Sequence, residues 1–494
     1  MTEPLFIGID IGTQGTKTVL CSADGRIISE AFSPSVLEQP EPGAVTENPE
    51  RIFNSVISTV KEAISAAGVD GSRVAAVGID SQMAGVIGVG SDFSAVTPLD
   101  SWLDSRCSDY TQLIKREAET ECVTKSGGQV INSHAPKILW WKHERPEAFS
   151  EIKKFVMPNG YVTAKLCGIS TDNAFIDPTF LHFNNFSDNK NLTYNHAVLA
   201  AFGISEDLMP EIVSPEKIIG GILPEYAAAC GLSPGTKIIA GCGDTAASSL
   251  GAGIVREGLA YDVAGTASVF ACCSKNFSPD NKHGTLMLSR SVIDGLFLPL
   301  SYVTGGGMTL KWFSEVTKTD LKTLDKEAKE ASPGSGGVVF IPHFSGRSFP
   351  FDSNADGAFM GLRINTGRAE LFRAVLEAIA FEYRGYLEIM CETGCVKKLT
   401  SIRGVGGGAK SRVFAKIKAD ILGADYLIAE HICSAPQTMA RLAAHATGFL
   451  KEPLSELFGS RGHDEQCISY NSEAHKAYAP HFERYTQLTE KYLA

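Results

Sequence analysis

The chain has 494 residues, a length that exceeds one ordinary hydrophobic core and predicts two large domains. Hydrophobic residues make up 44% of the sequence and charged residues 20%, a balance typical of globular proteins and not of disordered or fibrous ones. The 45 basic and 56 acidic side chains give a formal net charge of −11, which argues against general nucleic-acid binding because phosphates would be repelled.

The N-terminal residues predict a strand, a polar glycine turn and a meander of antiparallel strands. Residues 5–9 have the pattern of a buried strand, residues 10–17 (DIGTQGTK) contain the turn, and residues 18–21 form a second strand. Apolar residues recur at helical spacing over 49–67, and residues 74–79 return to a strand pattern. Strands that alternate with helices in this way predict an α/β domain.

A second copy of this opening begins halfway along the chain. Residues 259–272 repeat the succession of strand, aspartate, glycine–threonine turn and strand. The motif Asp10-x-Gly12-Thr13 and the motif Asp262-x-x-Gly265-Thr266 lie about half a chain apart. The repeat indicates two related domains that face each other, and we place them at residues 1–250 and 251–494.

The sequence also bears on compartment and on metals. No apolar run approaches the roughly 18 residues of a membrane span, and the N-terminus lacks the pattern of a signal peptide, so we expect a cytoplasmic location and no membrane partner. The 12 cysteines include no C-x-x-C pair and are expected to be structural thiols. The 11 histidines are scattered without an H-E-x-x-H motif, which gives no support to a zinc enzyme.

Glycine turns in the chain allow three interpretations. Residues 404–411 differ from the P-loop pattern G-x-x-x-x-G-K-S at Ala409, where a glycine is needed to wrap a phosphate. Residues 237–246 match a strand followed by G-x-G-x-x-A, and Asp262 lies about twenty residues further on, which is the fingerprint of a nicotinamide-dependent oxidoreductase. Asp244 argues against that alternative, because a carboxylate in the pyrophosphate turn would repel the dinucleotide.

In the third interpretation these turns together form one triphosphate site. Two threonine–glycine turns, at 12–13 and 265–266, can hold a triphosphate from both sides through backbone amides and hydroxyls. The glycines at 406–408 precede a helix and offer a flat surface on which an adenine can lie. Asp244 would face the same cleft. Because this interpretation uses every motif, it favours a two-domain protein that binds ATP.

The motifs, in this order and at these separations, resemble those of the FGGY carbohydrate kinases, most nearly the xylulokinase-like branch. The resemblance covers nearly the whole chain and is carried by residues 8–13 (GIDIGT), 42–49 (PGAVTENP), 81–83 (SQM), 102–106 (WLDSR), 241–244 (GCGD), 265–266 (GT), 357–362 (GAFMGL), 373–380 (RAVLEAIA) and 406–411 (GGGAKS). It implies an α/β, two-domain, actin-like (ribonuclease H-like) ATPase fold with the nucleotide in the inter-domain cleft. Residues 1–250 would bind the sugar and supply the catalytic base, and residues 251–494 would bind the nucleotide.

The resemblance further implies a kinase that uses ATP and Mg²⁺ to phosphorylate a terminal hydroxyl of a small sugar or polyol. A ketopentose such as xylulose is the first expectation; ribulose, a deoxy-ketose, erythritol or another polyol is the alternative. A chaperone-like ATPase on the same fold is a further alternative, but such proteins lack the sugar pattern at 102–106. The oligomeric state is left open, with a homodimer as one option.

The resemblance assigns the phosphoryl-transfer chemistry to a few residues. Asp244 is the implied catalytic base, since a carboxylate with an unperturbed pKa of ~3.9 is ionised at neutral pH and can accept a hydroxyl proton. Asp10, with Asp244, would lie near Mg²⁺ and act through water. The implied ATP-binding residues are Thr13, Gln14, Lys17, Gly265, Thr266, Gly307, Lys311, Gly407 and Ser411. Structural roles are the alternatives for three candidates: a helix N-cap for Asp244, a turn-former for Asp10 and a solvated hairpin lysine for Lys17.

The resemblance also implies where the sugar binds. The implied substrate-binding residues besides Asp244 are Gln82, Met83, Trp102, Asp104 and Asn132. An indole can pack on the apolar face of a polyol, while a carboxylate and an amide exchange hydrogen bonds with its hydroxyls. The alternative for Trp102 is a buried tryptophan of the core.

Several residues depart from the family pattern. Ala84 stands where many xylulokinases have a histidine that contacts the sugar, so one hydrogen-bond partner is lost and a deoxy, epimeric or larger substrate could fit better than D-xylulose. The segment 342–347 lacks the acid that commonly follows its glycine. Gln437 and Leu442 stand where a glutamate and a glycine are usual, in a helix expected near the nucleotide.

Overall fold

The computed structural model describes residues 3–265, 268–344, 346–348, 350–352, 354–428, 432–459 and 466–493. Its β-strands are β1 (Leu5–Gly12), β2 (Gly15–Ser22), β3 (Ile27–Pro34), β4 (Thr46–Glu47), β5 (Val74–Ser81), β6 (Ile87–Val89), β7 (Leu99–Asp100), β8 (Lys154–Val156), β9 (Phe175–Ile176), β10 (Ser187–Asp188), β11 (Thr193–Tyr194), β12 (Glu211–Ile212), β13 (Ile218–Gly221), β14 (Lys237–Ile239), β15 (Cys242–Gly243), β16 (Leu259–Ala264), β17 (Ser268–Cys272), β18 (Met287–Arg290), β19 (Phe297–Val303), β20 (Val339–Ile341), β21 (Ala358–Met360), β22 (Ser401–Val405), β23 (Asp425–Ile428) and β24 (Gln466–Ile468).

Its α-helices are α1 (Pro49–Ala67), α2 (Ser108–Ser126), α3 (His134–Glu144), α4 (Pro146–Glu151), α5 (Pro158–Cys167), α6 (His196–Ala201), α7 (Pro224–Cys230), α8 (Asp244–Gly251), α9 (Gly306–Thr317), α10 (Leu321–Glu330), α11 (Arg368–Glu392), α12 (Arg412–Leu422), α13 (Ala435–Ala446), α14 (Leu454–Leu457) and α15 (Ser472–Leu493). Among the residues described, no helix combines the length and the apolar character that crossing a membrane requires.

The chain divides into two compact units. The first comprises Met1–Gly253, Ser289–Gly295 and Cys433–Gly459, and the second comprises Ile254–Leu288, Leu296–Ile432 and Ser460–Ala494. Each unit has its own cluster of buried hydrophobic side chains around a mixed β-sheet. A division of the chain into functional domains at residues 250 and 251 stays a prediction.

The sheet of the first unit combines a meander with parallel strands. Its strand order is β13-β14-β5-β1-β2-β3, and β15 also pairs with β5. The strands β1, β2 and β3 run antiparallel, whereas β5 lies parallel to β1, and β14 lies parallel to β5. The predicted strand–turn–strand opening and the α/β class are therefore confirmed.

Helices cover both faces of this sheet, which explains why β1 is almost continuously apolar. The helix α1 packs on β2 and β3 and begins where the side chain of Asn48 accepts the backbone N–H groups of Glu50 and Arg51. The helix α13, from a distant part of the sequence, packs on β1 and β5. A Cβ atom on Gly8 would lie 1.6 Å from the carbonyl oxygen of Pro436, so only glycine allows the helix backbone this close.

The residues that depart from the family pattern in α13 have packing roles within the first unit. The side chain of Gln437 completes a capping box with Ser434 and donates a 3.2 Å hydrogen bond to the carbonyl oxygen of Gly25. Leu442 is fully buried. These contacts account for both side chains without a nucleotide.

The second unit repeats the topology of the first. From β19 to β24 the strand order is β19-β17-β16-β22-β23-β24. The strands β16, β17 and β19 run antiparallel, and β22 and β23 continue the sheet in parallel from β16. Because β16 and β17 occupy the positions that β1 and β2 have in the first unit, the predicted duplication of an α/β domain is confirmed.

Candidate active site

Three neighbouring strand ends of the first unit bring acidic residues together. Asp10 of β1 and Asp80 of β5 are direct partners in the parallel register, and Cys242 of β15 pairs with Asp80 on its other side. Asp244 follows β15 directly. Because the carboxyl ends of parallel strands meet at one edge of a sheet, this register gathers Asp10, Asp80 and Asp244 at that edge.

Asp244 is the first residue of helix α8, and Gly243 is its N-cap. The alternative role of Asp244 as an N-cap residue is therefore wrong. Its Oδ1 atom accepts hydrogen bonds from the backbone N–H (2.5 Å) and the hydroxyl (3.1 Å) of Thr245. Within the described part of the chain its Oδ2 atom makes no hydrogen bond, so this oxygen is available to a ligand.

The protonation of Asp244 differs from the expectation. Burial, followed by the negative charge of Asp10, raises the pKa of Asp244 to about 7. The assumption of an ordinary pKa, and hence of complete ionisation at pH 7, is wrong for the ligand-free protein. A carboxyl group that titrates near neutral pH is suited to exchange a proton with a substrate hydroxyl.

Asp10 and Asp80 form the buried part of this acidic group. Among the described residues, neither carboxylate oxygen of Asp80, nor Oδ1 of Asp10, receives a hydrogen bond from an N–H group or a hydroxyl. Burial, reinforced by the charges of Asp10 and Asp244, raises the pKa of Asp80 well above its ordinary value. Burial also raises the pKa of Asp10, opposed by a hydrogen bond with Asp80 and by the charge of Lys17. One proton held between Asp10 and Asp80 accounts for these directions.

The acidic group fits a divalent cation that keeps most of its water. The orphaned Oδ1 of Asp10 and the open Oδ2 of Asp244 are the hard oxygen donors that Mg²⁺ prefers. Among the described residues, no group of three or more histidine, cysteine, aspartate or glutamate side chains is arranged to hold a metal ion. A cation at Asp10 and Asp244 would therefore take its remaining ligands from water and substrate oxygens.

The predicted first phosphate turn connects β1 and β2. Ser35 anchors it, since its backbone N–H donates to the carbonyl of Gln14 (3.0 Å) and its hydroxyl donates to that of Gly12 (3.3 Å). The hydroxyl of Thr13 accepts a hydrogen bond from the indole of Trp102. The turn is thus held from both sides, with Thr13 tied to a predicted sugar residue.

Lys17 does not belong to the turn itself. It lies in β2 and forms a 2.9 Å ion pair with Glu30 of β3, and both side chains are partly exposed. This pairing favours the alternative of a solvated hairpin lysine, whose ion pair contributes little to stability. A role of Lys17 in ATP binding stays a prediction.

Gln82 and Met83 follow β5, and Met83 contacts the residue that precedes the predicted base. The side-chain N–H of Gln82 donates to Glu47 (2.9 Å), while its buried carbonyl oxygen has no partner among the described residues. Met83 packs under Gly243, where a Cβ atom would lie 2.5 Å from the Met83 methyl carbon. The next residue, Ala84, has a left-handed backbone with φ of 56°, which is uncommon for alanine and marks a constrained segment.

Trp102 is 48% exposed, so the alternative of a buried core tryptophan is wrong. Its indole N–H donates a 2.8 Å hydrogen bond to the hydroxyl of Thr13. This bond fixes the ring plane and leaves ring surface open to solvent. A ring held in this way can stack on the apolar face of a polyol.

The other predicted sugar residues are engaged within the protein. One carboxylate oxygen of Asp104 accepts the backbone N–H of Val45 (2.9 Å) and the other accepts that of Arg106 (3.1 Å). The side-chain oxygen of Asn132 accepts a hydrogen bond from the hydroxyl of Thr111 (2.6 Å). Both side chains hold the segments around them, and their contact with sugar stays a prediction.

The predicted nucleotide residues of the second unit lie in two regions, one around the start of α9 and one before α12. Gly265 and Gly307 meet, since the carbonyl of Gly265 accepts the backbone N–H of Gly307 (3.0 Å). Thr266 lies outside the described residues. Lys311 is exposed on α9 and lies 3.7 Å from Glu315.

The glycine-rich segment before α12 does not have the geometry of a P-loop. Residues 408–410 form a short 3₁₀ turn, and the hydroxyl of Ser411 caps α12 by accepting the backbone N–H of Phe414 (3.1 Å). Gly407 is exposed at the end of β22. An exposed glycine leaves the backbone accessible to a flat ligand, while Ser411 already has a structural role.

Asp262, which the oxidoreductase alternative needs for a ribose, is not free to bind one. It is fully buried and accepts hydrogen bonds from the hydroxyls of Tyr383 (2.8 Å) and Tyr426 (2.5 Å) and from the ammonium of Lys418. Three buried donors already bond to this carboxylate, and its complete burial leaves no surface on which a ribose could approach it. The structure contradicts that alternative.

Sequence reasoning missed Asp80. An available signal was its position near the end of a buried strand, two residues before Gln82, which repeats the position of Asp10 in β1. The pairing of the two strands, which places Asp80 opposite Asp10, is what turns this resemblance into a cluster.

Comparisons with known proteins agree with this arrangement. Residues 5–251 match the N-terminal domain, and residues 263–446 the C-terminal domain, of the FGGY family of carbohydrate kinases. The chain belongs to the FGGY family of carbohydrate kinases. It is thus a phosphotransferase that has an alcohol group as acceptor, which overturns the oxidoreductase and chaperone-like ATPase alternatives.

Individual FGGY kinases resemble the chain over nearly its full length. A xylulose kinase of Escherichia coli (strain K12) is 27% identical over 504 residues, covering 99% of each chain, and a gluconokinase of Bacillus subtilis (strain 168) is 26% identical, covering 92% of this chain and 90% of the relative. Among solved structures, a gluconate kinase of Lactobacillus acidophilus has a TM-score of 0.90 at 25% identity, covering 99% of this chain and 98% of the other. A glycerol kinase of Plasmodium falciparum with ADP has a TM-score of 0.87 at 19% identity, covering 99% and 98%. The predicted two-domain, actin-like fold class is confirmed.

Proposed function

We propose that this FGGY kinase transfers the γ-phosphoryl group of ATP to a terminal hydroxyl of a small neutral sugar or polyol, with a ketopentose such as xylulose as first candidate. The observation that carries the proposal is the placement of Asp244, with its open Oδ2, at the same sheet edge as Asp10. The alcohol and the phosphoryl donor must meet beside a carboxylate that can take the alcohol proton. Asp244 provides such a carboxylate at this sheet edge.

In this proposal Asp244 orients the sugar hydroxyl and takes its proton as the new bond forms. The hydroxyl oxygen attacks the γ-phosphorus, the bond from that phosphorus to the bridging β–γ oxygen breaks, and ADP leaves with the electron pair. The proton ends on Oδ2 of Asp244. General-base assistance of this kind contributes about 10²–10⁴-fold to rate.

Asp10 and the turn at 12–15 would act on the phosphate side. A bound Mg²⁺ would neutralise charge on the phosphate oxygens, and Asp10 and Asp244 would hold it through water. The turn would present backbone N–H groups and the Thr13 hydroxyl to the phosphates. By the family resemblance, Gly265 and Thr266 would form the second phosphate turn. Gly307 and Lys311 would lie beside the ribose and phosphates, and Gly407 and Ser411 beside the adenine.

The acidic side chains on the side of Gln82 and Asp244 favour a neutral acceptor. Gln82 offers a buried carbonyl oxygen without a partner among the described residues, and its side-chain N–H donates to Glu47. The strand β15, which Asp244 follows, pairs with β5, which Gln82 follows. A sugar acid would bring its own carboxylate close to these groups at a Coulombic cost. The xylulose kinase relatives therefore suggest the substrate better than the gluconokinase relatives do.

A screen for ADP release tests the proposal. Purified protein is supplied with Mg²⁺, ATP and one acceptor at a time, chosen from pentuloses, hexuloses, pentitols, erythritol and gluconate, with a no-acceptor baseline. We expect at least one neutral acceptor to stimulate release well above baseline and gluconate to stimulate it less. Stimulation by gluconate alone, or by no acceptor, would overturn the proposal.

A further inference from the structure

A short buried segment of the first unit contacts the residue that precedes the proposed base. Residues Pro178–Phe183 form a 3₁₀ turn that begins after Asp177. Within it the hydroxyl oxygen of Thr179 accepts a 2.8 Å hydrogen bond from the backbone N–H of Gly243. Thr179 is fully buried, so this contact is shielded from water.

The Thr179 hydroxyl has a defined direction. It donates a 2.6 Å hydrogen bond to Oδ1 of Asp177, and the same oxygen accepts the backbone N–H of Thr179 (2.9 Å). A hydroxyl has one hydrogen and two lone pairs, so once its hydrogen is committed to Asp177, its lone pairs are left for Gly243. The hydrogen bonds therefore run in one direction, from the Gly243 N–H to the Thr179 hydroxyl and from that hydroxyl to Asp177.

Gly243 connects these hydrogen bonds to the proposed base. It is the N-cap of α8, and the following residue, Asp244, begins the helix. Met83 occupies the space where a Gly243 side chain would be, with 2.5 Å between the Met83 methyl carbon and a Cβ placed there. The peptide before Asp244 is thus confined by packing on one side and by the Thr179 hydrogen bond on another.

We propose that Thr179, oriented by Asp177, is a positioning residue for phosphoryl transfer that fixes the Gly243 peptide and through it the carboxylate of Asp244. This inference rests on the proposed role of Asp244 as base. It adds a hydroxyl that touches neither sugar nor ATP yet sets the direction in which the base faces its substrate. Small displacements of a catalytic group are costly because the reacting atoms must be aligned.

Two substitutions at this position separate the hydroxyl from the volume of the side chain. Thr179→Val keeps the shape and removes the hydrogen bond to Gly243, whereas Thr179→Ser keeps the hydroxyl and removes a methyl group. Thr163→Val is a matched control, because Thr163 is also fully buried and its hydroxyl has no hydrogen-bond partner among the described residues. If Thr179→Val does not fold, Thr179→Ala takes its place.

The full-length variants are assayed for phosphoryl transfer from ATP to D-xylulose, and to water when no sugar is added. We expect Thr179→Val to lower the rate at saturating substrates at least about 10-fold with the KM for ATP within two-fold of wild type. Thr179→Ser and Thr163→Val should stay within about three-fold in rate. A folded Thr179→Val protein with a wild-type rate, or a Thr179→Ser protein as slow as Thr179→Val, would overturn the inference.

A double substitution distinguishes positioning of Asp244 from general structural damage. In an Asp244→Asn background, Thr179→Val should cause little further loss, because the group that it positions is already gone. Equal losses in both backgrounds would contradict the inference. If Asp244→Asn itself stays within a few-fold of wild type, the proposed function fails; if it is slow while Thr179→Val is normal, only the present inference fails.

Discussion

The indole N–H of Trp102 donates a 2.8 Å hydrogen bond to the hydroxyl of Thr13. Trp102 is a predicted sugar-binding residue, and Thr13 belongs to the predicted phosphate turn. One hydrogen bond within the first unit therefore links a residue predicted to bind the sugar to a residue predicted to bind the phosphates. Binding of a sugar against the ring would restrict Thr13, and loss of the indole N–H would release it.

We expect Trp102→Phe to raise the KM for ATP as well as the KM for sugar, each about 3-fold to 10-fold, because a hydrogen bond of this kind is worth about 0.5–1.5 kcal/mol. Steady-state kinetics with each substrate varied in turn provide the measurement. An effect confined to the sugar KM would show that the bond does not reach the phosphate turn.

The carboxyl group of Asp244 should titrate near neutral pH in the metal-free protein. Burial raises its pKa to about 7, and the charge of Asp10 adds to this effect. Difference infrared spectroscopy of the carboxyl band, with Asp244→Asn to assign it, measures the value. Added Mg²⁺ should lower the pKa, because a nearby cation favours the carboxylate. A metal-free pKa near 4 would contradict the proposed environment.

Asp80 should make the wild-type protein less stable as the pH rises. Burial and the charges of Asp10 and Asp244 raise its folded-state pKa above the unfolded value of ~3.9, so the folded state holds the proton more tightly. The associated stability is present below pH ~3.9 and is lost progressively as the pH rises through the folded-state pKa. Asp80→Asn cannot titrate and escapes this loss.

Thermal unfolding of both proteins from pH 5 to pH 8 tests this expectation. The melting temperature of Asp80→Asn relative to wild type should increase with pH, by a few degrees over the range. Asp172→Asn, at an exposed position, serves as the control. A melting-temperature difference that is constant with pH, or that decreases, would be inconsistent with a protonated Asp80.

Lys137 of α3 connects the two segments that carry the predicted sugar residues. It is almost completely buried, and its ammonium donates 2.7 Å hydrogen bonds to the carbonyl oxygens of Ala84 and Ser101. Lys137→Met would leave both carbonyls without this donor at a cost of ~1–3 kcal/mol each. We therefore expect a lower free energy of unfolding, by about 2–6 kcal/mol, and a raised KM for sugar.

Lys142 on the same helix offers a matched control for Lys137. Its ammonium also donates to two carbonyl oxygens, those of Phe202 and Gly203, but in a more exposed setting. Lys142→Met should therefore cost less stability in denaturant unfolding, since water can replace the lost donor, and should leave the sugar KM unchanged. Equal effects of the two substitutions on the sugar KM would argue against a specific role for Lys137.

The local elements and the duplicated topology were predictable because their signals are local. The apolar spacing over 49–67 predicted α1, which runs over Pro49–Ala67, and the two glycine turns marked the hairpins of the two related sheets. Recognition of the family added the position of Asp244. Each of these inferences depends on residues close together in the sequence.

What escaped prediction depends on contacts between distant segments. Asp80 became part of the acidic group only through the parallel register of β5 with β1, and Thr179 contacts Gly243 across 64 positions of the chain. The helix α13 packs on β1 although more than 400 residues separate Gly8 from Pro436. These partners could not be predicted from the sequence, because hydrophobic periodicity and composition describe one segment at a time.

The rate of phosphoryl transfer by Asp244→Asn tests the central claim most directly. Rapid-quench assays with ATP, Mg²⁺ and the best acceptor from the screen would be run beside wild type, with circular dichroism and ATP binding as controls for folding. The account predicts a folded, ATP-binding protein whose transfer rate is at least about 10²-fold lower. A rate within a few-fold of wild type would contradict the assignment of Asp244 as the base.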